Sequence, residues 1–383
     1  MDAVKKAVMI GAGNIGRGFI GQIFHESGYH VVFVDVDEEI VGKLNRDGSY
    51  YLTLTDGEKS ETRVIDNVSA LHGGDGAQVA EQLAGCDVAA TAVGMKALGH
   101  IAGNLAAGIK KRGELRPGDP LNILICENIH HSRDYLYGLL EPCFSGDEKR
   151  LLDETGLVET TIGRMVPAPT PEMRRADATA IIVEPYMALP VDEKAFRGRK
   201  PGLLYTETFD PFEFFEEKKL YIHNLGHAIC AYYGASRGYE FIWQAASNDV
   251  IADAVKSAMY LLAEAISGTY GTDRASLYEF AYELMKRFRN RLLGDTVARV
   301  GQDPLRKLAP GDRFIGAVER CKSRGMQYDK LLVGIAAALR FDAKGDPSAG
   351  KMKEMIKEQG VAGFLASHCG LSQEDCNKVA GYY

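Results

Sequence analysis

Lys219, Asn224 and His227 stand at K-x-x-x-x-N-x-x-H spacing inside KLYIHNLGHAICAYYG, residues 219–234, a segment otherwise rich in Leu, Tyr, Ile and Ala. An amine, an amide and an imidazole could serve as a base, an oxyanion donor and a substrate contact. On a helical wheel of ~100° per residue, Glu216, Lys219, His223, Asn224 and His227 share one arc. Tyr221, Ile222, Leu225, Ala228 and Ile229 fill the opposite side. Leu220 falls in the polar arc, Lys218 in the apolar one, and Gly226 weakens an unbroken helix. Periodicity alone fits a solvated amphipathic helix first. Asn224 and His227 are unusual choices for such a face.

The elements that would position this segment are written more plainly upstream. AVMI is a short β-branched run, and Gly11, Gly13 and Gly16 follow it in G-x-G-x-x-G spacing. A helical stretch carries Ile15, Phe19, Ile20 and Phe24, Gly28 ends it, and VVFVD closes a second strand on Asp35. The first glycine permits a tight turn, the second lets a pyrophosphate approach, and the third lets helix pack on strand. The helix N-terminus adds free N–H groups and partial positive charge. Strand, turn and helix followed by an acid give the context this motif needs. Asp35 would accept from ribose hydroxyls and repel a 2′-phosphate, which favours NAD over NADP. A solvated strand-end acid is the plainer alternative.

SYYLTLTDGEKSETRVID reads as a hairpin about TDGE. DGAQVAEQLAG and MKALGHIAGNLAAGIKKRGE read as helices, CDVAATAVG and LNILICEN as strands. This alternation predicts a mostly parallel sheet with covered faces and ligands at the carboxyl ends of its strands. Asn14 and Ile15 in the turn, Thr91, Val93 and Gly94 at one strand end, and Asn128 at another are the expected cofactor contacts. Asn128 is equally placed to cap the helix of IHHSRDYLYGLL. Pro190, Pro201 and Pro211 interrupt the pattern, and helical stretches dominate beyond them. The expectation is an α/β Rossmann-type domain over 1–199 and a mainly α-helical domain over 200–383.

The 383 residues suit two domains. A net charge of −7 argues against a nucleic-acid surface, and no apolar run approaches a membrane span. Seven scattered cysteines without a C-x-x-C pair fit a reducing cytoplasm better than disulfides or structural zinc, and no secretory signal is evident.

GAGNIGRGFIG, TAVG, CEN, KLYIHNLGHA and RVGQDPLRKLAPGDR, in that order, resemble the polyol-specific long-chain dehydrogenases. The resemblance implies a metal-independent, NAD(P)-using enzyme of small polyols, monomeric or homodimeric, with its active site between a Rossmann domain and a helical domain. It implies Lys219 as general base, Asn128 and Asn224 as donors to the alkoxide, His227 on a substrate hydroxyl and Glu216 as a proton relay. The implied reaction is oxidation of a polyol phosphate to a ketose phosphate with NAD, D-mannitol 1-phosphate and D-fructose 6-phosphate foremost. Mannitol and altronate types, acting on unphosphorylated substrates, are the alternative. Arg306, Lys307 and Arg313 are candidate phosphate partners, because arginine matches phosphate bidentately. One departure stands out: Gly163 occupies the place of a family Asp. Tyr282 and Lys286 mimic the Tyr-x-x-x-Lys of short-chain dehydrogenases, but lie beyond a complete one-domain fold. A nucleotide-binding protein without catalysis is a further alternative, against which Lys219 speaks.

Overall fold

The computed structural model describes residues 4–383. It divides into two compact units, the first ending at Phe212 and the second running from Glu213 to Tyr383.

The strands of the first unit are β1 (Lys6–Ile10), β2 (His30–Asp35), β3 (Tyr50–Thr55), β4 (Ser60–Ile65), β5 (Val68–His72), β6 (Val88–Thr91), β7 (Asn122–Ile125), β8 (Gly156–Glu159) and β9 (Ile181–Val183). Six of them form one sheet in the order β5-β2-β1-β6-β7-β8, every pair parallel. β1 is central, with Val8 opposite Val32 and Ala89. Its near-continuous apolar run follows from burial on both faces. Ala7 and Met9 join the core under Phe19, Ile23 and Phe24. Val8 and Ile10 join the core under Leu83, Leu98 and Leu105. The unit is a Rossmann domain, as the alternating pattern led us to expect.

The hairpin about TDGE is present as antiparallel β3 and β4. β9 extends it as a parallel partner of β3. Tyr50 anchors this second sheet to the first core: its ring is buried and its hydroxyl donates to the Arg17 carbonyl at 2.7 Å.

The second unit is mainly α-helical. Its central helix, Leu225–Ser236, buries Leu225, Ala228, Ile229, Ala231 and Tyr232. At Gly226 a Cβ would stand 2.6 Å from the Met259 sulfur, so glycine here allows close approach of helix Asp249–Tyr270. The expected unbroken helix through Lys219 is corrected. α-Helix Glu213–Glu217 passes into a π-helical segment, Lys218–Asn224, before α-winding resumes at Leu225. The Leu225 N–H reaches back to the Leu220 carbonyl, the i→i+5 bond of a π turn. A wheel at ~100° per residue therefore misplaces the side chains of this segment. Lys218, the lysine on the wrong arc, lies over the Phe280 ring at 4.4 Å. Among the described residues no helix is long and apolar enough to cross a membrane.

Candidate active site

The glycine turn follows β1 directly. Gly11 sits at φ +100°, and a Cβ there would lie 2.4 Å from the Ala92 carbonyl oxygen. At Gly16 a Cβ would fall 1.8 Å from the Gly11 carbonyl oxygen, so the helix touches the turn itself. At Gly13 nothing lies within 4 Å of the same position, which leaves the open approach a diphosphate needs. Asn14 and Ile15, both half-buried, begin the helix. Asp35 accepts from the Ala12 N–H at 2.6 Å and from the Val36 and Asp37 N–H groups at 2.8 and 3.1 Å. It ties the turn to β2 and retains acceptor capacity, since a carboxylate offers about four lone-pair sites. These residues fit a dinucleotide. Substituting Gly16→Ala forces the Gly11 carbonyl aside. NADH fluorescence titration is expected to show binding weakened about tenfold or more, from ~1–3 kcal/mol of backbone strain.

The other strand ends are organised by a residue that motif reasoning passed over. Glu127 is buried, and its two carboxylate oxygens accept from the Val93 and Gly94 N–H groups at 2.9 and 2.8 Å. Those two N–H groups are thus committed within the chain. Thr91 is fully buried at the end of β6. Asn128, next along from Glu127, is exposed. It is not the cap of helix Ser132–Leu140: His131 holds that position, and Glu159 accepts from Ser132 Oγ and the Arg133 N–H, each at 3.1 Å.

In the second unit Lys219 is half-buried on the π turn. Burial, then the Arg313 guanidinium, lowers its amine to about 8, with the Glu216 carboxylate pulling the other way. Such an amine is partly free base near neutrality, as a general base must be. Asn224 closes the π segment, half-buried. His223 is buried and its Nδ1 has no partner. Burial, then the Arg287 guanidinium and the other basic groups around it, holds its ring well below the usual histidine range. His227 stacks on Phe288 with centroids 4.7 Å apart and planes 11° from parallel. Its buried Nε2 lies 3.2 Å from Asp295 Oδ2, an ion-pair distance without a formed hydrogen bond. Burial alone would raise the Asp295 carboxyl, but His227 and Arg299 outweigh it and hold it below the usual range. Arg299 places Nε at 2.7 Å and Nη2 at 2.5 Å, both on Asp295 Oδ1.

The three cationic residues expected to hold a phosphate diverge. Arg313 is buried, and both its backbone N–H and its Nε donate to Asp312 Oδ1, at 2.6 and 2.8 Å. Arg306 is exposed and spans Asp303 and Asp312, at 2.8 and 3.4 Å. Lys307 turns inward, where Nζ donates to the Gln302 carbonyl. Burial, then Arg313 and Arg306, lowers that amine to about 7. Lys307 thus lies buried with one of its donors committed to its own chain. The Tyr221 hydroxyl donates to the Gly311 carbonyl at 3.2 Å, which binds this loop to the π turn.

Residues 5–204 match the mannitol dehydrogenase Rossmann domain and residues 212–375 the mannitol dehydrogenase C-terminal domain. The chain belongs to the mannitol dehydrogenase family. Mannitol-1-phosphate 5-dehydrogenase of Anoxybacillus flavithermus is 36% identical over 372 residues, 95% of each chain. That of Bacillus subtilis is 34% identical over 374 residues, 96% of each. Among solved structures, a D-sorbitol dehydrogenase superposes with a TM-score of 0.82 at 16% identity, over 99% of this chain and 93% of that one. Pseudomonas fluorescens mannitol 2-dehydrogenase, in a ternary complex with NAD and D-mannitol, gives 0.76 at 18%, over 100% and 92%. Those two likenesses establish the shared fold. Membership makes the chain an oxidoreductase of the polyol dehydrogenase kind with a Rossmann domain.

In this chain, the place of the family Asp at Gly163 is closed by Tyr186, whose ring carbon would stand 3.0 Å from an added Cβ. The Tyr282–Lys286 pair is solvent-facing: Lys286 Nζ lies 4.5 Å over the Tyr282 ring and pairs with Glu283 at 2.7 Å. Asp295, Arg287 and Phe288 escaped sequence reasoning. Asp295 lies 68 positions beyond His227 (295 minus 227), and its only signal was its place just before the matched RVGQDP segment.

Proposed function

We propose that this member of the mannitol dehydrogenase family interconverts D-mannitol 1-phosphate and D-fructose 6-phosphate with NAD as cofactor. The observation that carries the chemistry is the Lys219 amine, lowered to about 8 by burial and Arg313 on a π turn it shares with Asn224. Lys219 takes the proton from the secondary hydroxyl. Asn224 donates to the oxygen as negative charge develops, an interaction strongest in the transition state. His227 contacts a neighbouring substrate hydroxyl, and Glu216 passes the proton onward. Gly11, Gly13, Asn14, Ile15, Gly16, Asp35, Thr91, Val93, Gly94 and Asn128 form the proposed dinucleotide site. A bound nicotinamide supplies the acceptor for the hydride that leaves the same carbon. Lysine as the base needs no metal.

The phosphorylated substrate is favoured because relatives at 34–36% identity over 95% or more of this chain carry that name. Arg313 supports it as a buried cation whose charge reaches Lys219. Seven unpaired cysteines suit a reducing cytoplasm. The test is NADH oxidation against fructose 6-phosphate, fructose, tagaturonate and fructuronate. Turnover is expected with fructose 6-phosphate, and turnover confined to the unphosphorylated ketoses would overturn the assignment.

A further inference from the structure

Phe288 fixes the plane of the His227 ring, but a plane does not decide which nitrogen carries the proton. Asp295 can decide it. Its Oδ1 is taken by two donors of Arg299, and its Oδ2 lies at ion-pair distance, 3.2 Å, from His227 Nε2, a buried nitrogen with no other partner. Arginine has donors only, so Oδ1 cannot be exchanged for a donor without loss. A second titratable ring, His223, has its centroid 6.1 Å from that of His227.

We propose that Asp295 is a positioning residue: it holds His227 as the neutral Nε2–H tautomer, so that Nδ1 offers its lone pair to a substrate hydroxyl. The proposal rests on the reading of His227 as a substrate contact. A carboxylate behind a working imidazole fixes both the tautomer and the ring orientation. The arrangement selects a ligand that donates at this point, a hydroxyl.

The substitution Asp295→Asn separates this role from packing, because it is nearly isosteric. The amide oxygen must stay with Arg299, since the alternative sets donor against donor. The NH2 group then faces His227 Nε2, which becomes an acceptor, and the proton moves to Nδ1. The lone pair offered to substrate is lost.

The test is a long-range 1H–15N correlation spectrum of histidine-labelled protein. The wild type is expected to show the Nε2–H tautomer at His227 and Asp295→Asn the Nδ1–H tautomer. In fructose 6-phosphate reduction, Asp295→Asn is expected to lower kcat/KM about 10–100-fold. It should cost nothing further in a His227→Ala background. An imidazolium or Nδ1–H ring in the wild type would overturn the proposal. So would an equal loss from Asp295→Asn with and without His227. If Asp295→Asn does not fold, the wild-type spectrum alone decides. The ring nitrogens are read without turnover, so inactivity on fructose 6-phosphate would count against the substrate and not against the tautomer.

Discussion

Substituting Lys219→Ala is expected to lower polyol phosphate oxidation by about 10²–10⁴-fold, the usual worth of a positioned acid or base. NADH affinity should be unchanged, because the proposed dinucleotide contacts include the glycine turn and Asp35 and not Lys219. Stability should move the other way. The Lys219 amine titrates at about 8 in the folded chain against an ordinary 10.5, so the folded state binds fewer protons than the unfolded one between those values. Folding is therefore penalised as pH falls from 10.5 towards 8, and the penalty is fully present at pH 7. Lys219→Met removes the charge and keeps the bulk. It is expected to raise the melting temperature at pH 7, the penalty removed being at most about 3 kcal/mol. Loss of turnover with gain of stability marks a catalytic group, whereas a structural lysine would lose both.

Arg313→Ala carries the second large effect. The guanidinium is the first charge, after burial, that lowers the Lys219 amine. Without it the amine returns part of the way to 10.5, since burial remains. Each unit of return removes about nine-tenths of the free base below the pKa. Turnover at pH 7 is therefore expected to fall about tenfold and to recover as the assay pH is raised. If Arg313 acted only as a phosphate contact, KM would rise at every pH and no recovery would follow. A pH series of kcat and KM separates the two.

Much of this could be read from the chain, and the parts that could not have physical reasons. Gly11, Gly13 and Gly16 announce themselves because a tight turn, an open approach and a close contact each admit so few residues. β1, β2, β6 and β7 are legible because burial on both faces demands unbroken apolar runs. β8 and β9 are not, for GLVE and IIV are too short to carry a period. The π winding of Lys218–Asn224 leaves no mark in composition. It changes which side chains face together, so the wheel rested on a geometry the chain does not adopt. Glu127 was hidden beside Asn128: neighbours in sequence, they differ in burial, and the carboxylate turned inward closes the Val93–Gly94 loop. Lys307 shows the converse, a basic residue readable in sequence whose burial and bond to the Gln302 carbonyl are not.

The most direct test is the pH dependence of kcat/KM for mannitol 1-phosphate oxidation by the wild type. The rate should rise with pH to a plateau, with its midpoint near the Lys219 value of about 8, because only the uncharged amine accepts a proton. Reduction of fructose 6-phosphate needs the ammonium and should fall through the same midpoint. A midpoint at an ordinary lysine value of 10.5, or a profile that Lys219→Ala leaves unaltered, would contradict Lys219 as the base.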